Sequence, residues 1–209
     1  MDFTSPLRVV ASGLDGPVLE AIVRADRPLT GREVARVLGQ SSHSGVRGAL
    51  RRLVAQGVVT SLPAGRAHIY LFNRDHVAAA HIEALVRTPT EVVRRLRQTI
   101  AAWEVPAVWA VITGPVADGV ATADDSIDIL LLRSDEIDED DPAWRAQVES
   151  AARALSAWTG NDVRVSEFAV DDVERGIGAP ELRAAMADGI DLVGSPGAHD
   201  ANVAVHMDR

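Results

Sequence analysis

Residues 28–73 read PLTGREVARVLGQSSHSGVRGALRRLVAQGVVTSLPAGRAHIYLFN. The spacing predicts a helix, a tight turn, a second helix and a two-stranded hairpin. Thr30 and Glu33 stand three apart, so the Thr30 hydroxyl takes the Glu33 amide while the Glu33 carboxylate reaches back to the Thr30 amide. Val34, Ala35 and Leu38 then form one apolar face, and Gly39 suits the left-handed stop. Gln40 to His43 is a short polar turn. From about Ser44 a second helix follows, with Val46, Leu50, Leu53 and Val54 on its inner side. Ser44, Arg47 and Arg51 fall one turn apart on its outer side. Gly57 ends it. Val58–Leu62 and His68–Phe72 are strand-like, with Pro63 to Arg66 turning between them.

This stretch resembles the winged helix-turn-helix regulators of the MarR and ArsR type. The residues that carry the likeness are LTGREVARVLG, a serine-rich turn, GVRGALRRLVAQGVV and GRAHIYLFN. The resemblance covers about the first two-fifths of the chain. It implies a second helix in the major groove of double-stranded DNA and a wing on the backbone or minor groove. Mapped here, it puts Ser42, His43, Ser44 and Arg47 nearest base edges and Arg51, Arg52 and Arg66 nearer phosphates. Guanidinium forks suit both targets. The plainer alternative is a module for protein contacts whose arginines are merely solvated.

Charge is divided between the halves. Residues 1–104 carry fourteen arginines against nine acids, a net of +5, and residues 105–209 carry seven against twenty-one, a net of −14. The overall −9 therefore hides a basic half, and that half holds the predicted reader. No lysine occurs, which excludes a P-loop lysine, a Schiff base or a lysine general base. There is no cysteine, hence no disulfide and no thiolate metal site. No apolar run is long enough to span a membrane, and no signal peptide is evident, so a cytoplasmic protein is expected.

Around this stretch, Leu14–Ala25 reads as a helix with Asp15 at its cap. Arg74–Val86 reads as another, capped by Asn73 or Asp75. His76 and His81, five apart, share no helix face and read as packing or surface residues. Thr88-Pro89-Thr90-Glu91 has the form of a helix start, with Thr88 as cap. Val92, Val93, Leu96, Ile100 and Trp103 form the stripe of that helix. Strands are expected at 107–113, 126–133 and 162–168. A turn is expected over 114–125, a solvated acidic loop over 135–141 and a helix from Pro142 to Trp158. Helices at 170–176 and 180–187 and a closing GIDLVG follow.

The second half resembles the minimal nucleotidyltransferase domains of the DNA polymerase β superfamily, on VITGPVADGVATADDSIDILLL, TGNDVRVSEF and LRAAMADGIDLVG. The likeness covers roughly Thr88 to Gly194. The family pattern is a strand, Gly-Ser, about ten residues, Asp-x-Asp on a second strand and a third acid on a third. It implies a nucleotide at the glycine turn and Mg²⁺ between the carboxylates. This chain departs from it. The turn is Gly114-Pro115, the first acid is Ser126, and the third falls at Arg164. Asp128 is the expected survivor, with Asp125 and Asp162 as remnant candidates that would need a shifted register or a bulge. Transfer chemistry is expected to be absent or very weak, with no cofactor unless Mg²⁺ serves that shifted site.

The expectation is an α+β chain: a winged helix-turn-helix over 1–87, an α/β nucleotidyltransferase-like domain with a short mixed sheet over 88–195, and a tail over 196–209. The chain is read as a DNA-binding transcriptional regulator. Its second domain would pair it as a homodimer or sense a nucleotide or small-molecule effector. The alternative is an active Mg²⁺-dependent nucleotidyltransferase targeted by its winged helix.

Overall fold

The computed structural model describes residues 1–11, 13–39 and 43–194, the side chain of Glu174 excepted. Ser42 and the tail from residue 195 lie outside the described residues. The chain is α+β, with two small sheets and two compact units. One unit takes Asp2 and Thr4–Pro89, and the other takes Met1, Phe3 and the chain from Thr90 onward. No helix of the described residues is long and apolar enough to cross a membrane.

The first unit runs α1 (Asp15–Ala25), β1 (Leu29–Thr30), α2 (Gly31–Val37), α3 (His43–Ala55), β2 (Val59–Ala64) and β3 (Ala67–Phe72), then α4 (Ala79–Val86). The capping box forms as read: the Glu33 amide donates to Thr30 Oγ1 at 3.3 Å, and the Thr30 amide donates to Glu33 Oε2 at 2.7 Å. The sheet order is β1-β3-β2, all antiparallel. The hairpin is longer than expected. Its last pair is Ala64↔Ala67, so the turn shrinks to Gly65 and Arg66, with Gly65 at φ +60°. Pro63 is accommodated inside β2 because that strand lies at the sheet edge, where a missing amide costs no ladder bond. Val18, Ile22, Leu29, Val34, Val46, Leu50 and Val59 form the core beneath.

Three expected caps are not used as such. Asp15 is the first residue of α1, after Leu14, and makes no cap bond. Asn73 does not start α4. Its side-chain Nδ2 donates to the Gly57 carbonyl at 2.8 Å, and the helix begins only at Ala79. Thr88 is itself the first residue of its helix, and its hydroxyl donates back to the Leu85 carbonyl at 2.7 Å.

The second unit contains α5 (Thr88–Ala101, from Thr90), β4 (Trp109–Thr113), α6 (Gly114–Ala117), β5 (Ile127–Arg133), α7 (Pro142–Thr159), β6 (Val163–Ala169), α8 (Val170–Glu174), α9 (Ala179–Asp188) and β7 (Ile190–Val193). The turn expected over 114–125 thus opens with a short helix, which Pro115 enters at no cost because its first turn needs no amide. The sheet is mixed, in order β6-β5-β4-β7. Strands β5 and β6 are parallel, and β4 runs antiparallel to both β5 and β7. Helical residues cover both faces, which explains why the central strands read as unbroken apolar runs. Val92, Leu96, Ile100, Trp144 and Leu155 pack on Ile112, Ile127, Ile129 and Leu131. On the other face Val173, Leu182 and Ala185 pack on Trp109, Val111, Leu130 and Leu132. Phe3 is buried in the first of these layers, and its amide donates to the Ala121 carbonyl at 3.0 Å.

Candidate functional site

The outer face of α3 is the first candidate. Val46, Ala49, Leu50 and Leu53 are buried, which turns His43, Ser44, Arg47 and Arg51 to solvent. Arg66 is exposed at the hairpin tip. Among the described residues Arg47, Arg51 and Arg66 make no hydrogen bond or ion pair.

Arg52 is different. It was expected among the phosphate contacts, but its guanidinium grips Asp15 of α1. Nε lies 3.0 Å from Oδ2 and Nη2 lies 2.6 Å from Oδ1. The Asp15 hydrogen bond raises the Arg52 pKa above its already high value. Sequence reading missed this partner because residues 15 and 52 are 37 apart and no local pattern links them.

The second candidate is the polar end of the mixed sheet. Thr113, Asp128 and Arg164 stand in one row across β4, β5 and β6. Residues paired in register point to the same face, about 4.8 Å apart between strands. Ser126 shares that face, two residues before Asp128, and its hydroxyl donates to Asp128 Oδ1 at 2.7 Å. Gly114 presses on the same carboxylate: a Cβ built there would lie 2.8 Å from Asp128 Oδ2. Gly114 also holds φ +65°, so glycine is required twice over. Gly114, Ser126, Asp128 and Arg164 are thus brought together.

Asp125 and Asp162 do not complete the site. The amide and hydroxyl of Thr122 both donate to Asp125 Oδ2 at 2.8 Å, which lowers the Asp125 pKa. Buried Asn161 fixes that loop from below, with Nδ2 donating to the Thr122 carbonyl at 3.1 Å and the Asp125 carbonyl at 2.9 Å. Asn161 read in the sequence as a turn residue, and only the fold shows its role. Asp162 is exposed, and its carbonyl receives the Ile127 amide at 2.8 Å. Among the described residues no three His, Cys, Asp or Glu side chains are placed to hold a metal ion. A guanidinium in the row beside Asp128 opposes a divalent cation further. The residues present therefore do not fit the Mg²⁺ pair that the resemblance implies.

No family model matches the chain, and no curated protein matches it. Solved structures resemble part of it, among them the following two. One is a toxin-antitoxin with AMP-PNP, at 14% identity and TM-score 0.38, covering 56% of this chain and 83% of that one. The other is a mutant of the toxin-antitoxin MntA-HpeT, at 13% identity and TM-score 0.41, covering 56% and 84% respectively.

Proposed function

We propose that the chain is a DNA-binding transcriptional regulator of the winged helix-turn-helix kind. The observation that carries the reading is the outer face of α3, where exposed Arg47 and Arg51 have no ion-pair partner among the described residues, with Arg66 exposed on the hairpin of the same unit. Unpaired guanidinium groups on a helix and a hairpin tip suit the phosphates and base edges of duplex DNA. In this reading His43, Ser44 and Arg47 lie toward bases and Arg51 and Arg66 toward phosphates. The second unit is a nucleotidyltransferase-like scaffold without working metal chemistry. It pairs two copies as a homodimer, as paired half-sites require, or senses an effector.

The test is fluorescence anisotropy with the promoter DNA beside the chain's own gene and with a random-sequence pool, at several salt concentrations. Arg47→Ala is expected to abolish preference for one sequence. Arg51→Ala is expected to reduce the salt slope by about 0.9, one phosphate's worth of released counterion. Absence of binding to either DNA overturns the reading. A single-copy mass by light scattering overturns the pairing.

A second reading has one observation in its favour. Asp128 is oriented by Ser126 and lies against the left-handed Gly114 turn, as a nucleotide-binding strand end requires. The chain would then be an active nucleotidyltransferase that its winged helix delivers to a target. Labelled nucleoside triphosphates with Mg²⁺ or Mn²⁺ test it, and transfer that Asp128→Asn abolishes would establish it over the first reading.

A further inference from the structure

We propose that Arg52 is a positioning residue for DNA binding and does not itself contact DNA. The proposal rests on the DNA-binding reading of α3. In an α-helix each residue advances about 100°, so Arg52 lies about 100° around the axis from Arg51 and about 140° from Arg47. It therefore stands to the side of the face that Ser44, Arg47 and Arg51 share, about 80° around from Ser44, and toward α1. There it meets Asp15 in a two-point grip: Nε to Oδ2 at 3.0 Å and Nη2 to Oδ1 at 2.6 Å. A guanidinium held at two points is fixed in angle as well as distance.

Residue 48, one turn before Arg52, is glycine, and a Cβ there would meet Arg52 Nη1 at 3.4 Å, an ordinary van der Waals contact. The side chain thus lies back over a position that has no side chain. Asp15 is in the first turn of α1 and Arg52 in the last turn of α3. Each charge is at the helix end whose dipole favours it. The pair fixes the rotation of α3 on α1, and that rotation sets where Arg47 and Arg51 point. A phosphate would have to displace a carboxylate already in place.

The test is anisotropy with full-length protein on one duplex at several salt concentrations, comparing wild type, Asp15→Asn, Arg52→Ala, both together, and the exchanged pair Asp15→Arg with Arg52→Asp. Circular dichroism checks that each is folded. Both single changes are expected to weaken binding about two- to fivefold, the range of an exposed ion pair, with unchanged salt slope. The double variant is expected to be no weaker than either single, and the exchanged pair to recover only part of the loss, because it places each charge at the helix end whose dipole opposes it. The sign for Asp15→Asn is decisive, because removing an acid would ordinarily favour DNA. Tighter binding with a steeper slope in Asp15→Asn, or a shallower slope in Arg52→Ala, makes Arg52 a phosphate contact and overturns the proposal. Unchanged affinity in both overturns it too. If wild type and Arg47→Ala alike bind no DNA, the reading of α3 fails and the proposal falls with it.

Discussion

Replacing Gly114 by alanine tests the strand end around Asp128 directly. The cost has two sources. At φ +65° an L side chain is worse off by about 1–2 kcal/mol. The new Cβ would also lie 2.8 Å from Asp128 Oδ2, so the carboxylate must shift and its bond from Ser126 weakens. That second effect is about 1–2 kcal/mol, a partial loss of the about 1.5–3 kcal/mol of a hydrogen bond to a charged group. The sum is about 2–4 kcal/mol. All four tryptophans, Trp103, Trp109, Trp144 and Trp158, belong to the second unit, so fluorescence during urea unfolding reports that unit alone. In an Asp128→Ala background only the backbone strain remains. The Gly114→Ala cost is therefore expected to fall by about 1–2 kcal/mol there. A Gly114→Ala cost below about 0.5 kcal/mol, or the same cost with and without the Asp128 carboxylate, would refute the close approach.

Three further outcomes follow from the geometry. Leu50→Ala, at a fully buried position of α3, is expected to cost about 2–5 kcal/mol in unfolding of the first unit followed by circular dichroism; less than about 1 kcal/mol would mean the site is not packed. Asp141 caps α7 by accepting the Ala143 and Trp144 amides at 2.9 Å each, so Asp141→Ala is expected to cost about 0.5–2 kcal/mol by tryptophan fluorescence. The Glu33 carboxyl is lowered from 4.5 to about 2, first by the Thr30 amide, then by the Thr30 hydroxyl and Arg27. A depressed folded pKa contributes stability above pH 4.5 that is lost as pH falls toward 2. Glu33→Gln is expected to lose that dependence in acid titrations of the first unit, and an unchanged acid profile would count against the capping box.

What could be read in the sequence divides along a physical line. The Thr30–Glu33 box, the buried stripe of α3 and the apolar strands β4 and β5 depend on residues a few positions apart, and their positions followed from spacing. Asn73 and Thr88 have the chemistry of caps, but their side chains found partners one strand or one helical turn away. The same limit applies at the sheet end. Spacing put Ser126 and Asp128 on one face, the family resemblance put Arg164 across from them, and the strand register agrees. The direction of Asp125 depended on Thr122 and on Asn161, 36 residues on, so no local pattern could give it. Arg52 is the same case, since an exposed arginine on a basic helix looks identical in sequence whether it is idle or gripping Asp15.

Phe3 changes what counts as a separable piece of this chain. It belongs to the unit that otherwise begins at Thr90, and it is only 9% exposed there. The first unit is thus an excursion between two parts of the second. A fragment cut cleanly at residue 90 leaves behind a buried aromatic ring and the Phe3–Ala121 hydrogen bond. Such a fragment is a damaged module with a hole in one layer of its core, about 3–5 kcal/mol poorer if the loss resembles a buried phenylalanine truncated to alanine. Dissection of the two units therefore calls for point changes in the whole protein, or for a fragment that restores residues 1–3 through a linker.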